Sequence, residues 1–480
     1  MYVSTRSNYI TSDMSAVLKG IAPDGGLFVD NRLFGNTDFD TRAVFNLSYE
    51  AQAEKIMGYL LPGFADSLNE IVKVYAKKFS SPLITPVVKV GDDYALELFH
   101  GPTSAFKDVA LSVLPLFITK AKKDEGIKGN ISILTATSGD TGKAALEGFH
   151  DVEGTDITVF FPENGVSAMQ KAQMVTQEGS NVRVCGVLGN FDDCQRGVKE
   201  AFAQKTDKLL SSANSINIGR LVPQVVYYFN AYSQLIKSGD IIAKDSVDFV
   251  IPTGNFGDIL AGYIAKCLGL KIGKLVCASN SNNILSDFIS TGVYDTRREF
   301  LKTASPSMDI LVSSNLERML YYSSNGDSDK VAALMKALKS DGVYSIDGGM
   351  LKVFKDNYSC GWASEKETAL TISRLWNDYH WLSDTHSAVA FSVLEKYKKS
   401  SEYTGNKCVV LSTASPFKFP GAVLEAIGTE CGSDDFESAD ILSDSTGIKV
   451  PDNLKGLKYK ERIHKDVIGT GDIVSYSLKE

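Results

Sequence analysis

No two cysteines in this sequence are spaced as C-x-x-C. The seven present (Cys185, Cys194, Cys267, Cys277, Cys360, Cys408 and Cys431) are scattered. That excludes a disulfide framework and reads as free thiols in a reducing compartment, with the cytoplasm as the expected location. The five histidines (His100, His150, His380, His386 and His464) match no zinc spacing, so no metal site is expected. Basic charge is not in excess: the net charge is -8, which argues against nucleic acid as a partner. No apolar run approaches the ~18 residues of a membrane-spanning helix. The N-terminus lacks the apolar core of a signal peptide, so no membrane partner is expected either. Two nucleotide signatures are also missing. There is no G-x-G-x-x-G, which disfavours a nicotinamide or flavin dinucleotide, and "SGDTGK" fails as a P-loop. Its Gly139 and Gly142 are too close together, and Ala144 follows Lys143 where Ser or Thr is required. A P-loop kinase is thereby excluded.

What is present is ordinary in bulk and regular in pattern. Hydrophobic residues make up 44% and charged residues 22% of 480, enough to bury a sizeable core. The first part of the chain carries helical patterns broken by "APDGG" and "LPGFAD". "VVKV" and "YALELF" predict strands around a Gly-Asp-Asp turn, and an apolar helix is expected from Lys107 to Ala121. Strand and helix patterns then alternate: "ISILTA", "TGKAALEGFH", "DITVFF", "SAMQKAQMVTQEG", "NVRVCGV", "DDCQRGVKEAFAQ". A second series has "VDFVI", a helix after Gly257, "KLVCAS" and, late, "KCVVLST". Residues 282 to 403 read as mostly helical. Such alternation predicts an α/β protein with two parallel sheets in separate domains, and ligands at the carboxyl ends of the strands.

Chemistry concentrates in loops at strand ends. In "HGPTSAFKDVAL", Thr103 or Ser104 is placed to cap a helix. Lys107 then falls in or near the first turn, where the helix dipole disfavours a cation and lowers its pKa. A lysine that must shed its proton to act as nucleophile or base gains from such a site. The alternative is a solvated lysine beside Asp108. "TATSGDTGKAA" places hydroxyls and amides at a helix N-terminus, suited to a carboxylate, or to plain capping by Ser138 or Asp140. Asp140 would repel an anion, so it is expected to face a hydroxyl or a protonated group. "IPTGNFGDILAGYIAK" puts Gly254 and Gly257 where backbone can approach a single phosphate at a helix start. "VVLSTASPFKFP" offers Ser412 and Thr413 to a ligand. In "SINIGRLVPQVVYY", Asn217 and Arg220 flank a glycine at a helix start, and Arg suits a phosphate or carboxylate.

In this order, "HGPTSAFKD", "SGDTG", "GNFGD" and "STASPFKF" resemble the threonine synthases. These belong to the tryptophan-synthase β-like, fold type II pyridoxal-phosphate enzymes. "GIAPDGGLFV", "SINIGRLVPQVVYYF" and "DTHSAVA" (Asp384 to Ala390) are also similar to the family, the longer group shared by bacteria and fungi. The resemblance implies that Lys107 carries pyridoxal 5'-phosphate. It implies that Gly254, Asn255, Phe256, Gly257 and Asp258 cradle its phosphate and that Thr413 bonds the pyridine nitrogen. Ser138, Asp140 and Thr141 would lie near the cofactor and the substrate carboxylate. Ser215, Asn217, Arg220 and Lys418 would take the substrate phosphate. The implied reaction turns O-phospho-L-homoserine and water into L-threonine and phosphate, in a monomer or homodimer. The competing readings are a serine or threonine dehydratase on the same fold and a non-catalytic relative. The expected organisation is an N-terminal, mostly helical region at 1–95 and a large cofactor-binding domain from 96–130 and 206–430. A small mobile α/β domain covers 131–205, and a tail covers 431–480.

Overall fold

The computed structural model describes residues 1–34, 37–137 and 139–479. Two mostly parallel sheets organise the chain. The larger runs in the order Tyr358–Trp362, Ile272–Ser279, Val247–Pro252, Lys407–Ser412, Asp93–Glu97, Val87–Val90. Its neighbours are parallel, except that Val87–Val90 returns antiparallel against Asp93–Glu97. The smaller is all parallel: Asp466–Gly469, Val182–Leu188, Thr155–Pro162, Ile131–Ala136, Leu209–Ser212. Inner strands such as Ile131–Ala136 and Val247–Pro252 are buried at every residue. Helices cover both faces of a parallel sheet, which is why these strands read as continuous apolar runs.

The 21-residue helix Ile218–Ser238 is buried along nearly its whole length. It packs against the helices Tyr49–Leu60, Lys107–Leu111 and Gly257–Cys267. An all-round apolar helix belongs in the interior of a large domain, and this one carries Arg220 inward at its start. The carboxyl ends of both sheets open toward one place. The larger delivers the loops after Glu97, Pro252 and Ser412, and the smaller those after Ala136 and Ser212.

Several expectations are corrected. The helix after Lys107 is two helices, Lys107–Leu111 and Leu114–Asp124. Pro115 has no N–H and cannot continue the first, but suits the opening turn of the second. The mostly helical segment 282–403 also supplies the strand Tyr358–Trp362 to the larger sheet, and the N-terminal region adds a three-stranded antiparallel sheet to its helices. The smaller sheet reaches outside 131–205: Leu209–Ser212 and Asp466–Gly469 both join it. Val87–Val90, within 1–95, belongs to the larger sheet.

Candidate active site

Lys107 is the first residue of its helix, and its side chain is 11% exposed. Neither Thr103 nor Ser104 caps that helix; no side chain does. The polarity is reversed: Asp108 accepts from the Thr103 N–H at 2.8 Å and the Thr103 hydroxyl at 2.6 Å. Asp108 thus folds the turn 101–104 back onto the helix, and Ser104 takes a left-handed φ of 59°. The buried Tyr75 hydroxyl donates to the Val109 carbonyl at 2.9 Å and anchors the other side. Helix Asp140–Phe149 packs closely here, because a Cβ at Gly148 would collide with the Leu111 carbonyl. This approach brings Asp140 to Lys107: Oδ2 lies 3.8 Å from Nζ.

Asp140 does face a protonated group. Its Oδ1 pairs with Lys418 Nζ at 2.7 Å and accepts from Gln170 Nε2 at 2.9 Å. Burial alone would raise its pKa, but Lys418 and Lys107 outweigh burial and hold it well below the usual carboxylate range. Lys418 is fully buried and also donates to the Thr103 carbonyl at 3.1 Å. Lys107 is shifted the other way. Burial lowers its pKa against the pull of Asp140, and Lys418 and Arg220 lower it further. A lysine so placed loses its proton more readily than one in water.

The glycine loop closes against the segment around Ser307. A Cβ at Gly254 would stand 2.5 Å from the Ser307 carbonyl oxygen. Phe256 is buried at a left-handed φ of 61° and leads into the helix Gly257–Cys267. Ser313 Oγ donates to the Gly254 carbonyl at 2.8 Å, and Asn315 Nδ2 to that of Asn255 at 3.1 Å. With its carbonyls held from behind and the first-turn N–H groups free of helical partners, the loop fits a phosphate. Asp258 lies in the same turn. Burial pushes its pKa up to about 7, against the Ile259 N–H and Lys107, which favour the charged form.

Arg220 is 2% exposed, and no carboxylate pairs with it among the described residues. Its Nη1 donates to the Ala213 carbonyl at 2.5 Å, and its Nε has no partner among those residues. Burial alone lowers its pKa, to about 10. A buried guanidinium without a counter-charge is costly unless an anion arrives. Ser215 is half-buried beside the glycine loop, 3.9 Å from where a Cβ on Gly257 would stand. Asn217 is occupied otherwise. It caps its helix by accepting from the Gly219 N–H at 2.9 Å, and donates to the Val17 and Ser212 carbonyls. Thr141 is half-buried on the helix that starts at Asp140. Thr413 is buried just past its strand, and its carbonyl accepts the Phe106 N–H at 2.8 Å. Ser138 lies outside the described residues.

The structure therefore gathers Lys107, Asp140, Lys418, Arg220, the 254–258 loop and Thr413 around one place. A buried lysine with a lowered pKa, a glycine cup and an uncompensated cation fit a phosphorylated cofactor bound at Lys107. Residues not anticipated include Gln170, Ser307 and Arg318. Fully buried, Arg318 donates to the Phe28 carbonyl, to Asn315 Oδ1 and to the Ile216 carbonyl, tying the N-terminal sheet to both anion loops. No local pattern marks it, because its partners are distant in sequence. Among the described residues no cluster of His, Cys, Asp or Glu could hold a metal ion, and no helix is long and apolar enough to cross a membrane.

Comparison with known proteins gives consistent matches. A family model described as pyridoxal-phosphate dependent enzyme matches residues 94–414. Models for the threonine synthase N terminus and C-terminal region match 1–74 and 387–470. The threonine synthase of Saccharomyces cerevisiae is 35% identical, over 98% of this chain and 96% of its own length. Threonine synthase-like 1 of Homo sapiens is 38% identical over 86% of this chain, which spans only 57% of that protein. Among solved structures, PLP-bound threonine synthase from Brucella melitensis has a TM-score of 0.86 at 36% identity, covering 99% of this chain and 98% of that one. The yeast threonine synthase structure has a TM-score of 0.87 at 34% identity, covering 100% and 98%.

Proposed function

Because this chain belongs to the threonine synthase family of pyridoxal-phosphate dependent enzymes, we propose that it converts O-phospho-L-homoserine and water to L-threonine and phosphate. This is a carbon–oxygen lyase reaction on a phosphate ester. The observation that carries the reading is Arg220: a buried, uncompensated cation close enough to Lys107 to depress its pKa, in addition to the glycine cup. One phosphate site serves a cofactor; a second calls for a substrate phosphate.

Gly254 to Asp258 would hold the cofactor phosphate, Lys107 its reactive carbon and Thr413 its ring nitrogen. When bound, the conjugated ring supplies an electron sink for charge developing on the substrate's carbon chain. Lys107 Nζ is the group placed to move the proton at Cα, and its lowered pKa keeps it ready as a base. Arg220 and Ser215 orient the substrate phosphate and stabilise its charge as it leaves. Asn217 assists by holding the start of that helix. Ser138 and Thr141 serve the carboxylate end. Lys418 neutralises Asp140, so the substrate's anionic ends meet no bare carboxylate. The seven free cysteines support a reducing compartment such as the cytoplasm.

The test is direct. Purified protein supplied with pyridoxal phosphate should gain an absorption band near ~420 nm that depends on Lys107. With O-phosphohomoserine it should release threonine and phosphate in equal amounts. Lys107→Ala should lose the band and both products. Arg220→Met should keep the band and lose about a hundredfold or more in kcat/KM. The band without threonine, together with turnover of serine or threonine, would establish the dehydratase reading instead. Intact activity in Lys107→Ala would overturn the assignment.

A further inference from the structure

Asp384 to Ala390, "DTHSAVA", has no role in the site as described so far. It forms the start of the helix Thr385–Lys398, with Asp384 as its N-cap: Asp384 Oδ1 accepts the His386 N–H at 2.8 Å. Capping needs one oxygen and is usually done at a wet surface. Asp384 is fully buried instead, and burying a carboxylate is costly unless its oxygens are satisfied. Both are used. Oδ1 also lies 3.0 Å from His386 Nδ1, and Oδ2 takes the hydroxyl proton of Ser387.

Each partner passes the constraint on. His386 Nε2 is 3.2 Å from the Ser307 N–H. A backbone N–H can only donate, so Nε2 carries the lone pair and the ring proton sits on Nδ1, facing Asp384. Ser307 in turn touches both halves of the lysine pocket. Its Oγ is 3.4 Å from Lys107 Nζ, and its carbonyl packs on Gly254. The His386 ring is fixed from the side by Phe419, with centroids 4.9 Å apart. On the other branch, Ser387 Oγ accepts the Thr413 N–H at 3.2 Å and lies 3.1 Å from the Ser412 hydroxyl. Thr413 continues to the Phe106 N–H, the residue before Lys107.

We infer that Asp384 is a buried positioning residue with two arms, His386–Ser307 and Ser387–Thr413, which together fix the two sides of the Lys107 pocket. The inference rests on the reading of Lys107 and Thr413 as cofactor contacts. An Asp that only capped the helix would not need the imidazole tautomer set, nor a serine between it and Thr413. Acting through others, Asp384 and His386 should affect the chemical step and cofactor affinity more than substrate affinity.

The experiment compares His386→Leu, which removes the arm, with His386→Gln, whose amide can accept from Ser307 and donate to Asp384. Each is titrated with pyridoxal phosphate as apoprotein and then assayed as holoenzyme. For His386→Leu, kcat should fall about tenfold to a hundredfold, as expected for a small misplacement of reacting groups. KM for O-phosphohomoserine should stay nearly unchanged, and cofactor affinity should weaken. His386→Gln should recover most of both losses. Equal values for the two variants, or wild-type kcat and cofactor affinity in His386→Leu, would overturn the proposal and leave Asp384 as a cap. Should His386→Leu fail to fold, Ser387→Ala carries the test through the other arm. A displaced cofactor absorption band with reduced kcat is expected there, and a wild-type band and kcat would overturn it. Failure of the underlying reading appears separately, as wild-type protein that neither binds pyridoxal phosphate nor makes threonine.

Discussion

Asp140 and Asp258 are both buried aspartates at helix starts, yet their surroundings drive them apart. Lys418 and Lys107 keep Asp140 ionised, so its contribution is present above the ordinary carboxylate pKa and is lost as pH falls below it. For Asp258 burial outweighs the Ile259 N–H and Lys107, and pushes the pKa up to about 7. Between pH ~4 and ~7 the folded protein therefore holds a proton there that the unfolded chain has released, and stability falls as pH rises through this window. Above it the cost is complete. In the cofactor-free protein, Asp258→Asn keeps the acceptor for the Ile259 N–H and removes the charge. It should be more stable than wild type by about 2–4 kcal/mol at pH 8 and indistinguishable at pH 4. Denaturant unfolding at the two pH values measures this, and an equal gain at both would refute the charge argument. At this scale Lys107, Arg220 and the glycine loop could be picked out as candidates beside plain structural readings, and it was the family resemblance, not the residue types alone, that singled them out. Asn217 was legible as a neighbour of the site, but its side chain is spent on capping and on the Val17 and Ser212 carbonyls.

Among elements, those with a strong repeat were readable and the short, mixed ones were not. "ISILTA" and "VDFVI" are apolar runs covered on both faces. "LLSS", "YSCGW" and "DVIG" carry polar residues or glycine, and become strands only because a neighbouring strand offers its ladder. The last of these belongs to the tail, which is tied to the smaller sheet and to the helix that follows the larger sheet's strand Lys407–Ser412. Its helix Asp435–Thr446 packs on Pro420–Ala426, and its strand Asp466–Gly469 completes the smaller sheet. Between the two, Asn453 Nδ2 donates to the Pro102 carbonyl at 2.7 Å, and its Oδ1 accepts from Ser104 Oγ at 2.9 Å. The tail thus holds the turn that presents Lys107. Asn453→Ala should cost about 1–3 kcal/mol for two hydrogen bonds and lower kcat as the turn loosens. An unchanged denaturation midpoint and unchanged kcat would show that the contact is idle.

For the whole molecule, the residues of the proposed site come from both sheets: Lys107, Thr413 and the glycine loop from the larger, Asp140 and Thr141 from the smaller. A reaction that must delay water until phosphate has left gains from a closing motion. A non-hydrolysable phosphonate analogue of the substrate should therefore reduce the radius of gyration of the holoenzyme in solution scattering. An unchanged radius would refute closure. What the sequence determined by itself was the α/β class, most of the strands and helices of both sheets, and the placing of the lysine and glycine loops at strand ends. Those depend on local periodicity and on residue chemistry read over a dozen positions. Only the tertiary structure decided that Asp140 pairs with Lys418, that Arg220 has no counter-charge among the described residues and that Asp384 reaches two walls of one pocket. These are contacts between segments up to hundreds of residues apart, and a carboxylate's partner is set by which chain end folds against it, not by its neighbours in sequence.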